Sequence, residues 1–351
     1  MAGDKVLQVS QIGIEAVAPG TEADADTILH AFSFQVNREG GALAPFRPEG
    51  YRAPVLTKPT NRESSTIPIE AVACYRCLTW LLDSLFFAAT VAESTLENLL
   101  DDSSDPTIAW QRTYEIVSNA VATARNTYTI EHGDSSLASL STFMVFSGLG
   151  ITLNREDVAL TTSAFASKRA DNATLTSTPD EISVVPVLAQ QGLVYLEDAE
   201  GDLAAADPVG KLVEVEWHYN NAMKPRYSVD GEPSYTELTE LAPDIGGTIK
   251  FWKNSDSMDL KAEAQAGTRK WLRIEFIGTV LADNDPAADW TYVLQITTPI
   301  EFTEPGDEAD EDDAVAVTLG FTSVHDATEG YSAKIVLVND IDDTYALATI
   351  V

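Results

Sequence analysis

Residues 66–90 read T-I-P-I-E-A-V-A-C-Y-R-C-L-T-W-L-L-D-S-L-F-F-A-A-T, and the rest of the chain is read around them. Pro68 suits a first helical turn, where a missing N–H is no loss. Beyond it Ile69, Val72, Ala73, Cys77, Trp80, Leu81, Leu85 and Ala88 recur at helical spacing. Leu78, Leu82, Phe86 and Phe87 add a second apolar side. The spacing predicts a long helix over 68–90 that is covered on more than one side: by a sheet, and by something else, for which a neighbouring subunit is one candidate. The uninterrupted apolar run is shorter than the ~20 residues a membrane span needs, and Asp83 interrupts it.

The chain has 351 residues, a length that favours two domains. Its 22 basic residues stand against 55 acidic ones, a net charge of −33. A nucleic-acid-binding surface needs lysine and arginine, so this balance argues against one, and equally against an anionic membrane surface. It fits a protein that stays hydrated in very high salt, or a surface that repels a polyanion. Cysteine is confined to Cys74 and Cys77, so no disulfide framework is expected. C-Y-R-C has the spacing of a redox or metal half-site, but it falls in an apolar segment with no second pair to complete a zinc site. Two buried core thiols are the expectation. The opening M-A-G-D-K-V-L-Q has no apolar signal-peptide core, which predicts synthesis in the cytoplasm without that route of export.

Residues 1–25 are small and polar and read as an arm. Ile28–Val36 alternates as a strand, with Phe32, Phe34 and Val36 on one side. Residues 37–66 form a long excursion rich in Gly, Pro and Arg, which holds four of the twelve arginines. Its sharper reading is a contact with an acidic neighbour. Strand signals follow at 108–117, 128–131, 143–153 and 157–166, and 167–192 reads as a loop with a domain boundary at 185/186. In Leu212–Tyr219, Val213, Val215, Trp217 and Tyr219 face one way. Further strands are expected at 247–252, 270–280, 290–300, 314–324 and 333–339. A short helix over 257–266 is stopped by Gly267.

The order strand, helix, strands then occurs twice. Trp110-Gln111-Arg112 follows the first helix and Trp271-Leu272-Arg273 the second; Tyr128 pairs with Tyr292, and Phe146 with Phe321. An excess of about 11 residues in the second half coincides with the acidic run at 304–313. The reading is a mainly β chain of two tandem modules, 1–185 with the helix 68–90 and 186–351 with the helix 257–266.

Chemistry-bearing motifs are sparse. His30, His132, His218 and His325 each sit alone, and no zincin, nucleophile-elbow, phosphate-loop or dinucleotide fingerprint occurs. His325-Asp326 reads as a turn beside a strand end. Asp307–Asp313 lacks the ligand spacing of a calcium loop and reads as solvated. Trp252, Trp271 and Trp290 read as core. The sequence predicts no enzyme, metal or cofactor.

Residues 46–57 (F-R-P-E-G-Y-R-A-P-V-L-T), W-L-L-D-S-L-F, Y-T-I-E-H-G-D at 128–134 and F-S-G-L-G-I-T-L-N-R-E-D-V-A-L at 146–160 resemble the tail tube proteins of long, non-contractile-tailed viruses. V-Y-L-E-D at 194–198, W-L-R-I-E-F-I-G at 271–278 and F-T-S-V-H-D-A-T-E-G-Y-S-A-K-I-V-L-V-N at 321–339 resemble the same family. The resemblance implies tail-tube-type β-barrel or β-sandwich modules, each with a flanking α-helix, whose sheets join around a ring. Rings stack into a hollow virion tail tube, around a tape measure protein and then the viral DNA, without sequence-specific binding and without a membrane. Such rings hold six single modules, so a two-module chain implies a homo-oligomer of three chains with pseudo-sixfold symmetry; a hexamer is the alternative. The −33 charge departs from common members and points to a halophilic, haloarchaeal host. Arg38, Arg47, Arg52 and Arg62, with Trp80, Phe86 and Phe87, are the expected interface residues. The competing reading is a halophilic extracellular β-sandwich protein for adhesion or carbohydrate binding.

Overall fold

The computed structural model describes residues 9–42, 60–86, 90–93, 109–117, 125–134, 137–228, 234–281, 290–303, 306–311 and 314–341. The first half gives β1 (Val9–Ile14), β2 (Thr27–Leu29), β3 (Phe32–Phe34), β4 (Asn37–Ala42), β5 (Thr60–Val72), α1 (Leu78–Leu85), β6 (Thr90–Glu93), β7 (Trp110–Val117), β8 (Tyr128–Gly133), β9 (Ala138–Asn154), β10 (Val158–Ala166), β11 (Arg169–Ala173) and β12 (Asp180–Ile182). The second half gives β13 (Gly192–Glu197), β14 (Leu212–Asn220), β15 (Lys224–Arg226), β16 (Glu237–Thr239), β17 (Asp244–Trp252), α2 (Ser255–Ala266), β18 (Arg269–Val280), β19 (Thr291–Phe302), β20 (Asp307–Glu311), β21 (Ala314–Ser323) and β22 (Tyr331–Asn339). The fold is mainly β, with large antiparallel sheets.

The long helix expected over 68–90 is corrected. Its first part is the end of β5, and only Leu78–Leu85 is α-helical. Residues 63–73 satisfy a period of two as well as a helical one: Ile67, Ile69 and Ala73 are buried, while Thr66, Pro68, Glu70 and Val72 are exposed. Strand neighbours on both sides decide between the two. β5 pairs with β10 on one side and with β3 and β4 on the other. Pro68 fits there because its carbonyl accepts from Gln35 N, at the join between β3 and β4. N and C=O of an extended residue point the same way, so the missing N–H falls where the ladder is already interrupted.

All eight residues of α1 are buried. So short a helix is marginal by itself, below the ~12–15 residues that isolated helices need; packing makes it. Tyr128 Oη donates to Trp80 O at 2.7 Å, and Asn339 Nδ2 donates to Tyr75 O at 3.0 Å and to Thr79 Oγ1 at 2.8 Å. At its C-terminus, Arg125 Nη1 donates to the carbonyls of Ser84 and Leu85, 3.2 Å each, and so satisfies acceptors that the helix leaves open. Burial lowers the Arg125 pKa to about 10. The chain itself therefore covers α1 on every side.

The second helix matches its expectation. Asn254 Oδ1 caps it by accepting from Ser257 N at 2.8 Å, and Gly267 ends it at φ +70°. The arm at 9–14 is a strand paired with β8, the loop 167–192 contains β11 and β12, and five residues of the acidic run form β20. No break in the core marks the boundary at 185/186: one buried apolar cluster runs from Ile12 to Ile341, and β14 pairs with β9 and β22 with β7 across the halves.

Candidate assembly surface

Eight strand positions follow one another by antiparallel pairing: β4, β5, β10, β9, β14, β17, β21, β20. The first four come from the first half and the last four from the second. Within each half the order is the same. A first strand pairs with a second, the helix follows, and of the later two strands the second pairs back onto the sheet while the first takes the outer place. The join between halves is β9 to β14, from Glu214 opposite Asn154 to Asn220 opposite Gly148. The covering layer does not repeat in this way: β7 lies between β6 and β22, while β18, which carries Trp271, lies between β13 and β19. Phe146 lies on β9 and Phe321 on β21, which hold different places in the two orders.

Alternation gives this layer a dry face and a wet face. Val215, Trp217, Ile249, Phe251 and Leu319 are buried on the dry side, and Trp217 Nε1 donates to Thr298 Oγ1 at 3.1 Å. The wet side of β10, β9, β14 and β17 carries small and polar residues, among them Thr161, Ser163, Gly148, Gly150, Thr152, His218 and Thr248. A pair of hydroxyls here folds back onto the sheet: Ser147 and Ser163 share a hydrogen bond of 2.8 Å. Gly247 is required by close approach, since a Cβ there would lie 1.9 Å from Glu216 O. An open groove of about 350 Å³ runs over Gly148, Gly150, Thr161 and His218. Among the described side chains of these four strands, Glu214, Glu216 and Asp244 face outward, against one lysine, Lys250.

Both ends of the layer are open among the described residues. β4 and β3 pair only with β5, and β20 pairs only with β21. The β20 end is acidic, with Glu308 bound to Lys253 at 2.5 Å and Lys261 at 3.0 Å. These bonds hold the Glu308 carboxyl below the ordinary carboxylate range.

The expected interface residues separate. Trp80 and Phe86 are 3% and 5% exposed within the chain's own core, so the structure corrects their assignment to a subunit contact. The second apolar side that pointed to a neighbour meets Tyr114 and Tyr219, whose rings lie 5.8 and 4.6 Å from that of Phe86. Arg38 and Arg62 stand on β4 and β5, opposite Ser65 and Gly41. Arg47, Arg52 and Phe87 lie outside the described residues.

Other polar groups that the sequence singles out take part in local contacts. Asp326 accepts from Thr328 N and Glu329 N at 2.8 and 3.1 Å, as a turn residue does, and these donors lower its pKa. Cys74 and Cys77 are free and buried. Their mutual hydrogen bond lowers Cys74 to about 6, and that bond with burial raises Cys77. His132 is not alone: its Nδ1 shares a 2.8 Å hydrogen bond with Ser10 Oγ, directly across the β1–β8 ladder. Among the described residues no group of three or more His, Cys, Asp or Glu could hold a metal ion, and no helix is long and apolar enough to cross a membrane. No protein-family model matches the chain, and no curated protein matches it.

Proposed function

We propose that the chain is a structural subunit of a viral tail tube, in which three copies form a ring and rings stack into a hollow tube. The observation that carries this reading is the strand order β4, β5, β10, β9 followed by β14, β17, β21, β20, with the halves already joined edge to edge. Open edges are a liability in an isolated chain; a closed ring removes them. Two repeats per chain make the ring pseudo-sixfold. The wet face of Thr, Ser and Gly lines the channel through which DNA passes during ejection, and the buried side carries the covering layer outward. A wall with outward carboxylates and a single described lysine gives phosphates no grip. The subunit is made in the host cytoplasm, ends in the virion tail around the tape measure protein, and catalyses nothing. The −33 charge fits a halophilic host.

Negative-stain microscopy of the purified protein in high salt tests this. Tubes or rings are expected. Compact monomers at every concentration and salt would overturn it.

A further inference from the structure

Cys74 and Cys77 flank the corner where the chain leaves β5 and enters α1. The corner is a hydrogen-bonded turn: Leu78 N donates to Cys74 O at 3.1 Å, and Thr79 N to Arg76 O at 3.3 Å. Cys77 already has helical backbone angles, φ −70° and ψ −22°. A helical turn places Cα atoms three residues apart at about 5 Å. A disulfide needs Cα atoms about 4.4–6.8 Å apart. The backbone therefore holds the two residues in disulfide range. Their sulfurs also meet, with the Cys77 thiol donating to Cys74. That bond is the main reason the Cys74 pKa falls to about 6 in spite of burial, and the backbone N–H groups of Cys77, Val185 and Arg76 add to it. Cys77 is pushed the other way, first by its hydrogen bond to Cys74 and then by burial. One sulfur thus favours the thiolate that attacks a disulfide, and the other stays a thiol beside it, in place to resolve the product.

We infer that Cys74 and Cys77 form a reversible disulfide, with a low-molecular-weight disulfide of the glutathione class as oxidant. The inference does not depend on the tube reading. The Cys74 thiolate attacks one sulfur of the oxidant, whose S–S bond breaks and releases a first small thiolate. Cys77 then gives its proton to that thiolate, and its sulfur attacks Cys74 Sγ, releasing the second. Two protein thiols become one disulfide, and one small disulfide becomes two thiols. Both cysteines are 0% exposed, so the first attack waits on a local opening. The segment 183–188, between β12 and residue 189, is the place for it. It meets the corner through Tyr75 N to Val185 O at 3.0 Å and Val187 N to Ala73 O at 2.9 Å, and Ser183, Val184, Pro186 and Leu188 within it are exposed. Once closed, the bond staples the entry to α1, whose eight residues are all buried. In the chain-entropy account, closing a loop of four residues raises the folding equilibrium constant about 20-fold.

Thiol trapping on the full chain tests this. The protein is equilibrated with reduced and oxidised glutathione at a series of ratios, quenched in acid, alkylated in denaturant and weighed by mass spectrometry. Both alkylation sites should disappear together at the oxidising end, without retained glutathione, and return in reduced glutathione. The peptide that spans both cysteines should be internally linked. The oxidised form should unfold at a higher denaturant midpoint than the reduced one. Cys77→Ser should stop at the mixed disulfide, with one glutathione on residue 74, and Cys74→Ser should stay free of it. Two free thiols in the unaltered protein at every ratio, even after unfolding and refolding in oxidised glutathione, would overturn the inference. So would glutathione adducts without an internal link, or a disulfide that lowers the denaturant midpoint, since the folded corner would then not accommodate the bond.

Discussion

The Glu15 carboxylate accepts the backbone N–H of Phe143 at 2.7 Å. That contact sits where β9 changes sheets. Up to Phe143 β9 pairs with β11, and as far as Met144 with β8; from Val145 onward it pairs with β10 and then also β14. Phe143 makes the change at φ +54°, a conformation rare for a bulky residue. Glu15, 1% exposed, also accepts from Gly20 N, Thr127 Oγ1 and Thr129 Oγ1 at 2.7, 2.7 and 3.1 Å. Glu15→Gln keeps the volume and turns an NH₂ toward two of these donors. Unmet buried donors cost about 1–3 kcal/mol each, so a stability loss of about 3 kcal/mol is expected from the denaturant midpoint at fixed salt. A shift worth under about 0.5 kcal/mol would mean that Glu15 does not hold the crossing.

A second buried carboxylate fixes α1. Tyr114 Oη donates to Asp83 Oδ1 at 2.6 Å, with both residues buried. Burial first, and the Asp83 charge second, hold the Tyr114 hydroxyl well above its usual range, so it stays a donor. Tyr114→Phe should cost about 1.5–3 kcal/mol, as hydrogen bonds to charged groups do. In an Asp83→Asn background the same change should cost less, by about 1 kcal/mol of coupling. Additive losses would show that the pair does not act as a unit.

These two groups show where the sequence was readable. Most strands were placed by alternation alone, because a sheet with one wet face writes its burial into every second residue: Val213, Val215, Trp217 and Tyr219 are all buried. The helix over 68–90 was overextended because Ile69 and Ala73 fit both periods and Val72, exposed on the strand, fits the helical one; the partners that decide, β3 and β10, come from elsewhere in the chain. The strand β20 was hidden because Asp and Glu are poor strand formers; only pairing with β21 reveals it. Glu15 had little local signal, since only Gly20 among its donors is near in sequence and the others lie at 127, 129 and 143. Of the candidate surface, the arginine-rich stretch 37–66 and the acidic run 304–313 both stood out by composition, but that part of each is an edge strand did not.

His132 gives a pH dependence. Burial, and then the nearby Arg169 charge, lower its pKa from the ordinary 6.5. A base with a depressed folded pKa binds its proton more readily unfolded. Its contribution is therefore flat above about pH 6.5 and falls as pH drops below that value, until the folded pKa is passed. His132→Gln, which keeps a partner for Ser10 Oγ, should flatten the stability profile below about pH 6.5. An unchanged acid limb in that variant would assign the loss to other groups.

Salt should control the assembly itself. At −33 per chain, copies repel when unscreened. The Debye length is about 3 Å in 1 M salt and 30 Å in 0.01 M. Tubes dialysed from high to low salt should loosen, seen as a fall in light scattering. Scattering that is equal at both ends of the dialysis would leave the charge without this role.

The channel wall yields the most direct prediction. If the wet face of β10, β9, β14 and β17 lines the lumen, its passivity comes from what it lacks. The hydroxyls of Ser147 and Ser163 are engaged within the sheet, and Lys250 is the one described lysine among outward carboxylates on these strands. Thr152 and Thr248 stand on this face with partly exposed side chains. Thr152→Lys with Thr248→Lys leaves the core untouched, and surface changes of that kind usually move stability by no more than about 0.5 kcal/mol. Repeated around a ring and along a tube, the new ammonium groups would meet phosphate after phosphate. Each neutralised phosphate adds about −0.9 to the slope of log K against log salt for duplex DNA. The double variant should therefore assemble normally yet retain a duplex fragment in the tube at low salt and release it as salt rises. The unaltered protein should retain none. Equal retention by both proteins, or a variant that assembles and binds no DNA at any salt, would place the wet face somewhere other than the lumen.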